Sequence, residues 1–287
     1  MIGVGLIGYG YWGPNLARCF ADGERSRLVA VHDRDAAARA RAARRYPGTA
    51  SHDDARDLIA DPSVDAVAIA TPVRTHHDLA LAALQAGKHV LVEKPMTRTA
   101  AEARRLVDEA VRRDRVLMVD HTFVYTPAVR KIRELIDTGE LGAVHYYDST
   151  RINLGLFQSD VNVIWDLAVH DLAILDHLLS ERPAWVAAQA ARHVQDSPES
   201  MAFVTLAFPS GAVAHVNVNW LAPVKLRQTL IGGSRKMIVY DDLEPSEKIK
   251  VYDKGITVLA GREAIDQLRI GYRTGDMWAP RLVQRQL

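Results

Sequence analysis

Short apolar runs alternate with helical segments over residues 1–119, and this alternation constrains the fold more than any other feature of the chain. The runs are nearly continuous in Val, Ile, Leu and Ala, as expected for strands that a parallel sheet buries on both faces. They are IGVGLIG, RLVAVHD, DAVAIAT, KHVLVEK and RVLMVD. The segments between them have helical spacing, and Gly87 ends one of these helices. The alternation predicts an α/β domain with a doubly wound parallel sheet.

The pattern changes in residues 120–287, and a chain of 287 residues is long enough for two domains. Helices are predicted in TPAVRKIRELIDTGELG and WDLAVHDLAILDHLL. From Trp185 onward, strands follow one another without helices: MAFVTLAF, AVAHVNVNW, KLRQTLIGG, KMIVYDD and KIKVYDKG. AVAHVNVNW alternates cleanly between apolar and polar residues, which indicates a sheet with one covered face. We therefore predict a second, α+β domain with a mainly antiparallel sheet.

The composition is that of an ordinary soluble globular chain, with 48% hydrophobic and 25% charged residues. Because the formal net charge is only +1, we expect neither nucleic acid nor a membrane as a partner. A single cysteine, Cys19, leaves no internal disulfide and fits a reducing compartment. No apolar run approaches the roughly 18 residues of a membrane span, and no signal peptide is visible. We expect a cytoplasmic protein.

Three glycines follow the first strand in the pattern G-x-G-x-x-G: Gly8, Gly10 and Gly13. Such a loop allows a tight turn, a close approach of pyrophosphate to the backbone, and helix N-terminal amides that face the phosphates. Asp33 ends the next strand 20 residues after Gly13, where a carboxylate can hold an adenosine ribose diol. This context favours a Rossmann domain over glycines that merely make a turn. Asp33 favours NAD, whereas the adjacent Arg34 keeps NADP as the less favoured alternative.

Two further strands end in residues that would lie at the carboxyl edge of the sheet, where dinucleotides bind. Thr71 and Pro72 end one of them, and the tripeptide Glu93-Lys94-Pro95 ends the next. A lysine at a strand end is usually a surface charge, so its position beside the expected nicotinamide raises its importance. The candidate cofactor contacts are Gly8, Gly10, Tyr11, Trp12, Gly13, Asp33, Arg34, Thr71, Pro72, His76, Glu93 and Lys94.

The segment WDLAVHDLAILDHLL carries polar residues in a helix that is otherwise apolar nearly all round. At 3.6 residues per turn, Asp166, His170 and His177 fall on one narrow stripe. Because such a helix is buried on most sides, the stripe is expected to face a cleft or an internal partner. A solvated stripe, or a histidine satisfied in the core, is the alternative. Asp171 falls within the apolar arc and therefore needs a buried partner.

Four stretches together resemble the Gfo/Idh/MocA family of oxidoreductases: the glycine loop, ATPVRTHH, AGKHVLVEKP and the Asp/His helix. The resemblance covers essentially the whole chain and implies an NAD-dependent dehydrogenase. GYWGPN, STRINLGLFQSDVNVIWDLAVHD and IGGSRKMIVYDD further resemble the branch of sugar-nucleotide 3-dehydrogenases. That branch implies oxidation of the C3 hydroxyl of a nucleotide-linked sugar, of the UDP-N-acetylhexosamine type, by hydride transfer to nicotinamide.

The same resemblance implies that Lys94, Asp166 and His170 are the catalytic residues. His170 would take the hydroxyl proton as hydride leaves, because histidine titrates at about 6.5 and is largely neutral near pH 7. Lys94 would hydrogen-bond the same oxygen, and a cis peptide would precede Pro95. His177 is expected to be structural.

The candidate substrate contacts are His121, Arg151, Asn153, Asn162 and His170. Arg151 and Asn153 lie at a strand end, and Asn162 lies just before the helix; for these three, a structural role in loop or strand is the alternative. We expect no metal, because the spacing of His121, His170 and His177 defines no ligand geometry. Hydride transfer from an alcohol can also proceed with a protein base.

The chain departs from the branch pattern at three positions and at its end. Asp120 stands where the branch usually has glycine, Thr126 where it has asparagine, and Val169 where it has proline. Family chains generally continue past YRTGDMWAP with a helix and strand that pack on the first domain, whereas this chain stops at Leu287. A non-catalytic dinucleotide-binding sensor and a truncated inactive paralogue are therefore the alternatives to an enzyme. We also expect a homo-oligomer, a dimer or tetramer built through the sheet of the second domain.

Overall fold

The computed structural model describes residues 1–155, 160–258 and 270–282. The chain divides into two compact units, Met1–His121 and Thr122–Leu287.

The first unit is built on a six-stranded sheet in which all paired strands run parallel. Its strands are β1 (Ile2–Ile7), β2 (Ser26–His32), β3 (Ala50–His52), β4 (Ala66–Ile69), β5 (His89–Val92) and β6 (Leu117–Val119). The strand order is β3-β2-β1-β4-β5-β6, so the winding reverses between β1 and β4. Open α/β sheets bind ligands at this switch point. The predicted doubly wound parallel sheet is confirmed.

Helices cover both faces of this sheet. They are α1 (Gly13–Asp22), α2 (Ala36–Arg45), α3 (Ala55–Ala60), α4 (His76–Gln85) and α5 (Ala100–Arg113), with a 3₁₀ turn at Val73–Thr75. Side chains of α1 and α2 pack in one apolar cluster with Val4 and Val31, whereas α3, α4 and α5 pack in another with Val67 and Val90. The short elements β3 and α3 are absent from the sequence prediction, because three and six residues are too few to show a period.

In its described residues, the second unit combines two α-helices with an eight-stranded sheet. The helices are α6 (Pro127–Asp137) and α7 (Val169–Leu179), with a 3₁₀ turn at Thr122–Tyr125. The strands are β7 (Val144–Ile152), β8 (Trp185–Ala191), β9 (Met201–Ala207), β10 (Val213–Asn219), β11 (Leu226–Gly233), β12 (Met237–Asp241), β13 (Ile249–Tyr252), β14 (Gly255–Val258), β15 (Ile270–Arg273) and β16 (Met277–Trp278). β14 and β15 pair only with each other in the part of the chain that the structure describes.

The large sheet has the order β16-β13-β12-β11-β7-β10-β9-β8. Only β7 and β10 run parallel among its described pairs, so the mainly antiparallel sheet is confirmed. Alternate residues of β10 are buried, as its sequence pattern predicts. These buried residues share one core with apolar side chains of α6 and α7, including Ile132 and Ile174.

One predicted helix differs from the sequence expectation at its start. Residues Ile164–Ala168 form a π-helical turn, and the regular α-helix α7 begins only at Val169. Oδ1 of Asn162 accepts hydrogen bonds of 3.2 Å from the backbone amides of the first two residues of this turn. Asp166 therefore lies on a wider turn than a 3.6-residue period assumes, and the predicted stripe does not continue through it. Such π turns are frequent at functional sites.

None of the helices within residues 1–155, 160–258 and 270–282 is both long and apolar enough to cross a membrane.

Candidate active site

The glycine loop joins β1 to α1, and its three glycines meet different surroundings. Gly8 has φ +98°, and a Cβ placed there would lie 2.6 Å from the carbonyl oxygen of Ala70. A Cβ at Gly13 would lie 2.1 Å from the carbonyl oxygen of Gly8. A Cβ at Gly10 would meet no atom within 4 Å. The first and third glycines are therefore required by the packing of the loop, whereas Gly10 leaves its backbone accessible to a ligand.

Asp33 follows β2 and is held by backbone amides at this same edge. Its Oδ2 accepts a hydrogen bond of 2.6 Å from the amide of Tyr9, and its Oδ1 accepts one of 2.8 Å from the amide of Asp35. Arg34 is exposed beside it. Both carboxylate oxygens are thus fixed by the backbone, and their remaining lone pairs can accept from the hydroxyls of a ribose.

The other sequence-predicted contacts near the glycine loop are accessible to a ligand. Tyr11 and Trp12 are 87% and 40% exposed. Thr71 and Pro72 follow β4, and Oγ1 of Thr71 lies 2.7 Å from Oγ1 of Thr75.

His76 differs from the other candidate cofactor contacts, because it is only 1% exposed. Its Nε2 lies 2.8 Å from the carbonyl oxygen of Thr71, and its Nδ1 lies 2.9 Å from that of Pro95. With both ring nitrogens next to carbonyl oxygens, the imidazole links the loop after β4 to the loop after β5. His76 as a cofactor contact stays a prediction, and its burial favours instead a role in joining these two loops.

Four titratable residues follow two neighbouring strands, β5 and β6: Glu93, Lys94, Asp120 and His121. Val92 pairs with Val119 in the sheet, and the amide of Asp120 donates to the carbonyl oxygen of Val92 at 2.9 Å. Burial, followed by the negative charge of Asp120, raises the pKa of Glu93 to about 8. Burial lowers the pKa of His121, which favours its neutral form. The peptide between Lys94 and Pro95 is cis, as the resemblance implies.

The π turn and α7 carry the two polar residues that the resemblance assigns to catalysis in this unit. Oδ2 of Asp166 accepts a hydrogen bond of 3.0 Å from the indole Nε1 of Trp220, which is fully buried. The imidazole of His170 and the ring of Phe123 form a T-shaped contact, with ring centroids 4.9 Å apart and an angle of 67° between the rings. Each catalytic candidate is therefore in contact with an aromatic side chain distant in sequence.

Asn162 and Arg151, two of the candidate substrate contacts, have structural partners. Besides capping the π turn, Asn162 donates from Nδ2 to Oε2 of Glu199 at 3.2 Å. Arg151 is 3% exposed and forms an ion pair with Asp171, from Nε to Oδ2 at 2.7 Å. Oδ1 and Nδ2 of Asn162 and Nε and Nη2 of Arg151 are engaged by the protein, which supports the structural alternative. Nη1 of Arg151 is buried and has no hydrogen-bond partner among the described residues. Asn153, just after β7, is half-buried and stays a candidate substrate contact.

The pair of Arg151 and Asp171 also fulfils the expectation that Asp171 has a buried partner. Asp171 is 2% exposed, and its Oδ1 accepts a second bond from Nη2 of Arg151 at 3.2 Å and a third from Oγ of Ser149 at 2.7 Å. Burial pushes the pKa of Arg151 downward, but the charge and hydrogen bonds of Asp171 outweigh burial and raise it above its ordinary value. Arg151 therefore stays charged inside the unit.

Sequence reasoning missed Phe123 and Trp220. Phe123 lies in HTFVYTP, where nothing marks it as different from an ordinary apolar residue, and Trp220 follows β10 as one more residue of its covered face. Among the residues that the structure describes, no group of three or more His, Cys, Asp or Glu side chains is placed to hold a metal ion.

Comparison with known proteins identifies both units. Residues 2–121 match the model of an oxidoreductase family with an NAD-binding Rossmann fold. Residues 129–239 match the model of the GFO/IDH/MocA C-terminal domain. The first unit is therefore an NAD-binding domain.

The individual relatives are named for different substrates. The chain is 31% identical to UDP-N-acetylglucosamine 3-dehydrogenase of Acidithiobacillus ferrooxidans, over 90% of this chain and 79% of that protein. It is 30% identical to inositol 2-dehydrogenase 2 of Saccharopolyspora erythraea, over 75% of this chain and 66% of that protein. The solved structure of GenD2 from gentamicin A biosynthesis, in complex with NAD, superimposes with a TM-score of 0.80 at 26% identity, over 88% of this chain and 75% of that one. On the two matched domains and these relatives, the chain belongs to the Gfo/Idh/MocA family of oxidoreductases.

Proposed function

We propose that this protein oxidises the C3 hydroxyl of a nucleotide-linked sugar, of the UDP-N-acetylhexosamine type, with NAD as the hydride acceptor. The observation that carries the proposal is the presence of Asp166 and His170 on a π turn and the helix that follows it, each held by an aromatic side chain. The similarity to a UDP-N-acetylglucosamine 3-dehydrogenase over 90% of the chain supports the substrate class. The inositol dehydrogenase among the relatives makes inositol the competing substrate class.

The first unit fits NAD in two respects. The open space at Gly10 allows the pyrophosphate to approach the backbone, and the oriented carboxylate of Asp33 suits an unmodified adenosine ribose. The negative charge of Asp33 disfavours the additional phosphate of NADP. When bound, NAD accepts the hydride that leaves the substrate carbon.

Residues of this chain would remove the proton from the substrate hydroxyl. His170 takes it from the hydroxyl as general base, a role in which a positioned side chain typically accelerates the reaction by about 10²–10⁴-fold. To Lys94 the resemblance assigns the stabilisation of the negative charge that develops on the substrate oxygen during the reaction. The carboxylate of Asp166 stabilises the imidazolium that forms on His170.

We also propose that the protein forms a homo-oligomer through the large sheet of the second unit. β8 lies at one end of that sheet, and all but the last of its residues are exposed. Trp185, Phe203 and Val213 lie on one face of β8, β9 and β10 and are 38–53% exposed. Exposed apolar side chains grouped on one sheet favour association with a second copy of the chain.

The substrate class can be tested directly on the purified protein. Mass spectrometry of the molecules released by denaturation identifies any bound cofactor or sugar nucleotide. Nicotinamide absorbance is then followed with a panel of UDP- and dTDP-sugars and with myo-inositol. We expect reduction of NAD with UDP-N-acetylhexosamines. Turnover of inositol alone would exclude the proposed substrate class, and NAD binding without turnover of any substrate would favour a sensor.

The assigned roles are tested by single-turnover hydride transfer in H170A and K94A. We expect the rate to fall by about 10²–10⁴-fold in each, while NAD affinity stays close to that of the unmutated protein. H177A is the matched control, because it removes the other histidine of the same helix. A near-normal rate in either test variant, or an equal loss in the control, would contradict the assignment.

A further inference from the structure

The second unit contains a buried ion pair directly next to the proposed general base. Arg151 on β7 and Asp171 on α7 are 3% and 2% exposed and are joined by two hydrogen bonds, of 2.7 and 3.2 Å. Ser149, also on β7, donates a third hydrogen bond to the same carboxylate. Asp171 follows His170 immediately in the chain, so these bonds fix α7 to the sheet at the turn that carries His170.

Arg151 reaches His170 by a second route, through Phe123. The guanidinium carbon of Arg151 lies 4.6 Å from the centroid of the Phe123 ring, and that of Arg227 lies 5.9 Å from it. The T-shaped contact of Phe123 with the imidazole is 4.9 Å between centroids. The ring is thus held by a buried cation on one side and contacts His170 on another, so it limits the side-chain orientations that the imidazole can adopt.

Stability alone is a poor explanation for this arrangement. Removing two charges from water is so unfavourable that buried ion pairs often stabilise a fold no better than apolar residues of similar size. The hydrogen bonds between Arg151 and Asp171 are directional, however, and they fix the rotation of α7 about its own axis. Successive residues of an α-helix point about 100° apart, so fixing Asp171 also fixes the direction of His170. The preceding turn is π-helical and does not impose the regular α-helical register on Val169 and the residues after it.

We propose that Arg151, Asp171 and Phe123 are positioning residues for His170: the ion pair sets the rotation of α7, and the phenyl ring sets the orientation of the imidazole. The proposal rests on the proposed function in that His170 is taken as the general base. A base must lie within hydrogen-bonding distance of the proton that it removes, and small misplacements reduce rates by up to about 10²-fold. Arg151, expected from the sequence to contact substrate, then acts on the reaction through Asp171 and Phe123.

The test separates positioning from stability with a charge-free double variant, R151M/D171L. It replaces the ion pair by apolar side chains of comparable size, a change that often preserves stability. F123L removes the aromatic ring and keeps an apolar side chain. V204A is the control, because Val204 belongs to the same core but lies on β9. Each variant is examined by denaturant unfolding, NAD affinity, kcat and KM, and the imidazole resonances of His170, which are assigned by comparison with H170A.

We expect the double variant and F123L to fold and to bind NAD normally. Their kcat should fall by about 10-fold to 10²-fold with little change in KM, and the His170 resonances should shift or broaden. V204A should lose stability and keep kcat and the resonances. If the double variant does not fold, R151K, which keeps the charge but not the paired hydrogen bonds, takes its place.

A folded R151M/D171L or R151K variant with unchanged kcat and unchanged His170 resonances would overturn the proposal. The resonances also separate it from the proposed function. If no sugar nucleotide is oxidised by the unmutated protein, displaced resonances in these variants still support positioning of the imidazole, and unchanged resonances refute it.

Discussion

Alanine substitutions at Gly13 and Gly10, in the same loop, are expected to have different effects: G13A lowers stability, whereas G10A weakens NAD binding. In G13A the new Cβ would lie 2.1 Å from the carbonyl oxygen of Gly8, whereas real Cβ atoms essentially never approach a non-bonded atom within 3.0 Å. Helix α1 or the loop must therefore move by about 1 Å. Since the clashing oxygen belongs to the backbone, no side-chain rotation can relieve the contact. In G10A the new Cβ would meet nothing within 4 Å.

G13A is expected to change mainly the free energy of unfolding, and G10A mainly the affinity for NAD. Overpacking of a tight contact destabilises a protein by about 1–3 kcal/mol, and the helix propensity of alanine offsets at most about 1 kcal/mol of this in G13A. G10A is expected to change the free energy of unfolding by about 0.5 kcal/mol or less. Its methyl group, however, would occupy the space that we propose for the approach of pyrophosphate to the loop. The loss of one charge-assisted hydrogen bond costs about 1.5–3 kcal/mol, which corresponds to roughly 10-fold to 150-fold weaker NAD binding.

Urea unfolding without ligand measures the first quantity, and calorimetric titration with NAD measures the second. We expect G13A to lose stability and G10A to lose affinity while remaining as stable as the unmutated protein. Equal destabilisation in the two variants would refute the packing distinction. Normal NAD affinity in a folded G10A would show that the pyrophosphate does not approach the loop at this position.

Four further predictions concern the cofactor, pH, assembly and stabilisation by NAD. D33A should weaken NAD binding more than tenfold, because the loss of a charge-assisted hydrogen bond costs about 1.5–3 kcal/mol. Titration of the unmutated protein with both cofactors should show tighter binding of NAD, and tighter binding of NADP would contradict the role of Asp33. Because the pKa of Glu93 is raised from 4.5 to about 8 in the folded protein, the unfolded state loses this proton first, and the free energy of unfolding should fall as pH rises across that interval. In D120N the repelling charge is absent, so unfolding curves between pH 5 and 8 should show a shallower fall, and an unchanged slope would exclude the coupling. Light scattering should detect a homo-oligomer that W185K weakens and the exposed control V111K does not. NAD at about 100 times its dissociation constant should add about 2.7 kcal/mol of stability, which hydrogen exchange should locate in the first unit; a monomer whose first unit is already fully protected without NAD would contradict this prediction.

Much of the fold can be predicted from the sequence, because the two units encode their sheets by different periods. The near-continuous apolar runs of the first unit predict buried parallel strands, and the structure has them in a doubly wound order. The alternation in AVAHVNVNW predicts a sheet covered on one face, and β10 has that burial pattern. Elements without a period escape this reasoning. β3 has three residues, and the π turn has a sequence that is indistinguishable from the start of an ordinary apolar helix.

The candidate cofactor residues can be identified from the sequence because the patterns that mark them are local. Gly8 and Gly13 make close contacts within the stretch from β1 to α1 and with the neighbouring end of β4. Asp33 is held by the backbone amides of Tyr9 and Asp35, which are 24 and 2 residues away. Where a side chain points cannot be predicted from such patterns. His76 lies in a stretch that resembles a cofactor loop, yet its ring is buried between two carbonyl oxygens.

The proposed catalytic residues of the second unit depend on contacts that no local pattern encodes. Asp166 and Trp220 are 54 residues apart, and Arg151 and Asp171 are 20 residues apart on different elements. A sequence motif can identify Asp166 and His170 as residue types that suit proton transfer, but it contains no information about which side chains hold them. Substitutions are therefore expected to act differently in the two units. In the first unit, a glycine substitution acts on the backbone geometry of a short loop. In the second, a change at Phe123 or Arg151, neither of which is needed to accept the proton, is expected to alter the chemistry at His170 because the position of that residue depends on them.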